Sequence, residues 1–203
     1  MGWLFGLLLF GSLLLGMVSR VDDSPLPDAV ISGAEALLVL IFVALRTEDV
    51  APLLGLPRVG LRDLLLMAGL TVIFVAAMAG YFAVMESFGM PVYSYSEPYL
   101  QAGWPVWSMF VLISLAPGVF EELAFRGVIY GALQRVFGGR ETWLIQAALF
   151  SVLHLLPIAF PSHFLMGLFF GWLRTRSRSL YPAMLAHAGW NALVLCEELY
   201  PYH

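Results

Sequence analysis

Polar side chains that could do chemistry lie within, or at the ends of, otherwise apolar stretches of this chain. In chain order they are Glu121, Glu122, Arg126, His154, His187 and Asn191. Ionisable groups are costly in hydrocarbon, so they are rare in membrane segments and usually functional there. Carboxylates and imidazoles can activate water, and imidazole and amide N–H groups can stabilise an oxyanion. The set therefore predicts a hydrolytic reaction inside a bilayer.

The composition requires a membrane setting for these residues. Of 203 residues, 61% are hydrophobic and 12% are charged, whereas soluble domains are about half apolar and about a quarter charged. We predict one integral membrane domain over residues 1–203, because no polar stretch is long enough for a second domain. The net charge of -4 and the lack of a basic run argue against nucleic-acid binding. The preference for Ala, Leu and Arg over Lys suggests a GC-rich bacterium and its inner membrane.

The fold class predicted is all-α, a polytopic bundle of about seven transmembrane helices. The apolar segments lie at about 2–19, 29–46, 63–87, 105–136, 142–158, 162–174 and 180–197. We expect the first to be a retained span, since it lacks the positive start of a signal peptide. A cytoplasmic N-terminus puts most arginines inside, in agreement with the positive-inside rule: Arg46, Arg58, Arg62, Arg135, Arg140, Arg174, Arg176 and Arg178.

The fourth segment carries the carboxylates. Pro117 stands one turn before Glu121 and can kink the helix, because it removes a backbone hydrogen bond. Glu122 and Arg126 are four residues apart, which predicts an ion pair on one helix face. Adjacent helical residues point about 100° apart, so this pair would leave Glu121 free to react.

The two histidines are less decisive when taken singly. His154 in an apolar helix is either a satisfied core residue or a catalyst, and Phe150 should pack one turn before it. His187 and Asn191 share a face of the last helix, where they could donate to an oxyanion or simply join helices. We expect Glu35, His163 and His203 to lie outside the site.

Together the residues resemble the CPBP family, the type II CAAX prenyl proteases and their bacterial relatives. Glu-Glu-Leu-Ala-Phe-Arg-Gly at 121–127 is similar to the Glu-Glu-x-x-x-Arg motif. Phe-Ser-Val-Leu-His at 150–154 and His-Ala-Gly-Trp-Asn at 187–191 are similar to Phe-x-x-x-His and His-x-x-x-Asn. All three motifs occur in the family's order, and we place the catalytic core at about 105–197.

The resemblance implies an intramembrane endopeptidase that needs no cofactor. In that family pattern Glu121 is the base that polarises water together with His154. His187 and Asn191 form the oxyanion hole, while Glu122 and Arg126 hold the helix geometry. The substrate would be a membrane-embedded or lipid-anchored protein carrying a CAAX end, a sorting anchor or a leader peptide. A partner subunit could supply further substrate recognition.

Three other functions remain open at this point. Glu121, His154 and His187 could hold zinc in a metalloprotease, with a fourth position open. The polar set could instead anchor the helices of a non-catalytic bacteriocin-immunity protein. A proton-relay transporter is the third, although no inverted repeat is visible in the sequence.

Overall fold

The computed structural model describes residues 2–19, 24–90, 94–156 and 159–200, and in this part of the chain the regular structure is entirely helical. The all-α prediction is therefore confirmed. The helices are α1 (Gly2–Val18), α2 (Leu26–Leu45), α3 (Thr47–Val50), α4 (Leu61–Ser87), α5 (Glu97–Gln101), α6 (Val106–Gln134), α7 (Gly139–Leu153), α8 (Phe160–Ser177) and α9 (Tyr181–Leu199).

Within the described residues, three helices are long and apolar enough to cross a membrane, namely α2, α4 and α6. Helix α1 is a shorter apolar helix. The integral membrane class is thus supported, while the count of seven spans and their orientation stay predictions. The fifth predicted segment, 142–158, has different bounds, because α7 begins at Gly139 and ends at Leu153.

Helix α6 is 29 residues long and departs from regular α-helical geometry twice. Its backbone widens to π-helix at Phe110–Leu115 and again at Leu123–Ile129. The first widening comes directly before Pro117, whose missing N–H interrupts the regular ladder. The second follows Glu122, and every residue in it is buried. Such π turns are frequent at functional sites.

Glycines let the core helices approach closely. A Cβ added at Gly167 of α8 would lie 2.7 Å from Cα of Ala147 in α7. A Cβ at Gly118 of α6 would lie 2.8 Å from the backbone N of Ala188 in α9. Both gaps are too small for a side chain, so these glycines permit the contacts that bring α6, α7, α8 and α9 together. Gly167 belongs to a Gly-x-x-x-Gly spacing with Gly171, a pattern typical of closely packed helices, whereas Gly118 has no such spacing.

The loops that carry most of the arginines meet at one end of the bundle. Arg135 contacts Asp49 at 2.8 Å, and Arg176 pairs with Asp63. The backbone N–H of Arg58 donates to Ser177 O at 3.0 Å. Which side of the membrane these arginines occupy stays a prediction.

Candidate active site

Glu122 and Arg126 form the ion pair that their spacing predicts. Arg126 Nη1 lies 2.9 Å from Glu122 Oε1, and both side chains are fully buried. Arg126 also donates to the carbonyl of Gly167 at 3.3 Å, and its guanidinium lies 4.4 Å from the ring centre of Phe150. Because a buried ion pair seldom adds net stability, we interpret this one as a positioning device.

His187 joins the same carboxylate, a contact that the sequence did not predict. Its Nδ1 lies 3.0 Å from Glu122 Oε1, and the residue is 4% exposed. An ionised carboxylate only accepts hydrogen bonds, so Nδ1 of His187 must carry the proton. In the neutral ring Nε2 then has a free lone pair and cannot donate. His187 can therefore serve an oxyanion through Nε2 only as an imidazolium.

Glu121 does not share the ion pair. Its buried Oε2 atom makes no hydrogen bond within the described part of the chain. It directly precedes Glu122 in α6, which places it beside the network. An unpartnered carboxylate oxygen in such a setting is free to accept a proton.

His154 occupies the end of α7 rather than the middle of a helix. The interpretation of residues 142–158 as one continuous helix was wrong, because Leu155 adopts a left-handed φ of 56° directly after His154. His154 Nδ1 donates to Phe150 O at 2.9 Å, so the neutral ring offers Nε2 as an acceptor. That tautomer fits a group that accepts a proton from water.

Phe150 lies between two of the site histidines. Its ring centre is 4.9 Å from that of His154, as the sequence predicted, and 5.9 Å from that of His187. Both contacts are edge-on, a favourable geometry for aromatic pairs. The buried Phe150 ring of α7 thus packs against α9 through its contact with His187.

Asn191 links α9 to the part of α6 that precedes Pro117. Its Nδ2 donates to Ile113 O at 3.1 Å. This carbonyl lies four residues before Pro117, which has no N–H to offer it. Asn191 thus joins helices, one of the two roles considered above, and its second amide N–H is left for another acceptor.

One residue that we expected to lie outside the site is close to it. The His163 ring centre is 3.8 Å from that of His154. His163 belongs to the first turns of α8 rather than to a loop, so no pattern in the sequence placed it near α7. Glu35 of α2 instead faces α1, since a Cβ added at Gly11 would lie 2.2 Å from Glu35 Oε1, and its position outside the site stays a prediction. His203 lies outside the described residues.

A catalytic zinc site needs three protein ligands that meet around one ion. Among the residues that the structure describes, no three His, Cys, Asp or Glu side chains converge as metal ligands do. The Nδ1 atoms of His154 and His187 are bound to Phe150 O and to Glu122, which leaves Nε2 of each ring free. Zinc at Glu121, His154 and His187 therefore stays an alternative prediction.

Comparisons with known proteins agree with the site. Residues 103–193 match the family model described as "Type II CAAX prenyl endopeptidase Rce1-like". The "Putative membrane peptidase YdiL" of Bacillus subtilis (strain 168) is 27% identical over 182 residues, which are 82% of this chain and 69% of that protein. No solved structure matches the chain significantly. The matched region contains all three motifs, so the resemblance stated above is confirmed.

Proposed function

We propose that this chain, a member of the CPBP family through its Rce1-like region at residues 103–193, is a glutamate-dependent intramembrane endopeptidase. The family is one of membrane peptidases, and the finer assignment rests on one observation. Glu122 binds both Arg126 and His187 through its Oε1 atom inside the helical core, whereas Glu121 makes no hydrogen bond or ion pair with the described residues; one oxygen of each carboxylate is buried without a partner. One carboxylate is thus committed to structure and the other is available for chemistry.

In the proposed reaction Glu121 takes a proton from water, and Nε2 of His154 accepts a hydrogen bond from the same water. The water oxygen then attacks the carbonyl carbon of the scissile peptide bond. The resulting oxyanion accepts hydrogen bonds from Nε2–H of the His187 imidazolium and from the free amide N–H of Asn191. Collapse of the intermediate breaks the C–N bond, and the proton held by Glu121 passes to the leaving amine.

The proposed substrate is a membrane-embedded or lipid-anchored protein, since the site lies among helices that face a bilayer. A CAAX end, a C-terminal sorting anchor and a leader peptide all present a peptide bond near apolar anchoring groups. We place the protein in a bacterial inner membrane. We also propose that it works without a resident metal.

The test is a comparison of membrane-protein termini by mass spectrometry in cells that carry the wild type or Glu121→Gln. We expect one set of proteins to keep a terminal segment only in the variant. Glu197→Gln is the matched control, because it makes the same change at an exposed position of α9. If the Glu121→Gln protein is stably inserted and no terminus differs, the protease assignment fails.

Metal dependence is tested on the same cleavage. The purified protein is reconstituted with a reporter that carries the terminal segment found above, and the reaction is repeated after treatment with a strong chelator. We expect the rate to be unchanged. A loss that added Zn²⁺ restores would favour the metalloprotease mechanism instead.

A further inference from the structure

The site histidine of α7 lies just beyond the end of the helix. His154 follows the last helical residue, Leu153, and the chain turns sharply at Leu155 with a φ of 56°. Bulky residues rarely adopt such a φ, and the conformation persists only where neighbours impose it. The His154 ring is held by its Nδ1 bond to Phe150 O and, beyond that bond, depends on contacts from other helices.

His163 supplies such a contact from α8. The two imidazole ring centres are 3.8 Å apart, closer than Phe150 is to either ring. His163 Nδ1 lies 2.8 Å from Ala159 O, so this ring is itself fixed by a hydrogen bond to its own helix. The two rings, each with one hydrogen bond to the carbonyl four residues before it, thus pack against each other.

Ser151 holds the two helix ends together. Its Oγ donates to Phe160 O at 2.7 Å, and Ser151 is almost fully buried. Because Phe160 is the first residue of α8, this bond joins the last turn of α7 directly to the start of α8. The position of His163 opposite His154 follows from this closure.

We propose that His163 is a positioning residue for the hydrolytic reaction, acting by ring contact that holds the His154 imidazole against Phe150. The inference rests on the proposed function, in which Nε2 of His154 must be directed at the attacking water. Without His163 one face of the His154 ring loses its packing, and the ring can leave the productive orientation. Small errors of placement are costly in catalysis.

The role is tested with variants of His163 that separate ring contact from imidazole chemistry. His163→Ala removes the ring, and we expect kcat to fall about 3- to 10-fold with KM nearly unchanged, as loss of one aromatic pair predicts. His163→Phe keeps a ring in place, and we expect it to restore most of kcat. If His163→Phe is as impaired as His163→Ala, or if His163→Ala keeps full kcat, the inference is overturned.

Controls distinguish failure of this inference from failure of the proposed function. Phe164→Ala removes a ring from the next position of α8, which packs on Phe160, and should leave kcat unchanged. Glu121→Gln must abolish cleavage of the same reporter in proteoliposomes. If it does not, the protease assignment is wrong; if it does and His163→Ala is fully active, only the positioning role is wrong.

A second measurement needs no substrate. The protein is labelled with ¹⁵N-histidine, and the His154 ring resonances are assigned by their loss in His154→Gln. We expect one sharp set in the wild type and in His163→Phe, and a broadened or split set in His163→Ala. Unchanged His154 resonances in His163→Ala would overturn the positioning role.

Discussion

Replacing Glu122 with Gln tests whether the buried network works as the geometry indicates. The change keeps the shape of the side chain but leaves the Arg126 cation without its countercharge. Breaking a buried ion pair by neutralising one partner costs about 3–5 kcal/mol. Gly167 O and the face of Phe150, 4.4 Å from the guanidinium, still stabilise Arg126. We therefore expect a loss in the free energy of unfolding near the lower limit, about 3 kcal/mol.

The assay is reversible unfolding in detergent micelles, followed by the helical signal in circular dichroism. Glu197→Gln serves as the control, since Glu197 is exposed and the chemical change is the same. The double variant Glu122→Met with Arg126→Met removes both charges and should regain most of the lost stability, because apolar residues often replace a buried pair without penalty. A Glu122→Gln protein within about 1 kcal/mol of the wild type would refute the ion-pair interpretation.

The same double variant separates stability from catalysis. His187 Nδ1 donates to Glu122 Oε1 at 3.0 Å, so the apolar replacement leaves this ring without its acceptor. We expect the double variant to be stable and inactive. Full cleavage of the reporter by this variant would show that Glu122 does not orient His187.

Two further predictions concern the contacts between α6 and α9. Asn191→Ala should lower activity, and it should lower the free energy of unfolding by about 1–3 kcal/mol because Ile113 O loses its donor near Pro117. Unfolding in micelles measures the stability. An unchanged free energy of unfolding would show that the bond is unimportant. Gly118→Val should cost at least about 1–3 kcal/mol, since its Cβ would meet the backbone N of Ala188 at 2.8 Å. Gly69→Val is the matched control, with nothing within 4 Å of its added Cβ, and equal stability of the two variants would contradict the close approach.

Much of the site could be predicted because it depends on spacing within single helices. Glu122 and Arg126 are one turn apart, and one turn of helix brings their side chains together whatever surrounds them. The contact of Phe150 with His154 follows from the same four-residue spacing, even though the helix ends at Leu153. Composition was equally decisive for the helical membrane class, since lipid leaves the backbone few ways to satisfy its hydrogen bonds.

Contacts between helices could not be predicted in this way. The bond of His187 to Glu122, the bond of Asn191 to Ile113 O and the approach of His163 to His154 all join separate helices. The π turns in α6 change which residues face α9, and the left-handed turn at Leu155 sends the chain back so that α8 starts beside α7.

The sequence by itself determined the residue types, their order and the local pairing on α6. The tertiary structure decided which carboxylate is committed to Arg126 and His187 together, and which histidine supports His154. The physical reason is the separation along the chain of the residues that interact. Within one helix the backbone alone sets the spacing of side chains. The meeting of two helices is set by the small residues, kinks and turns that act together over the whole bundle.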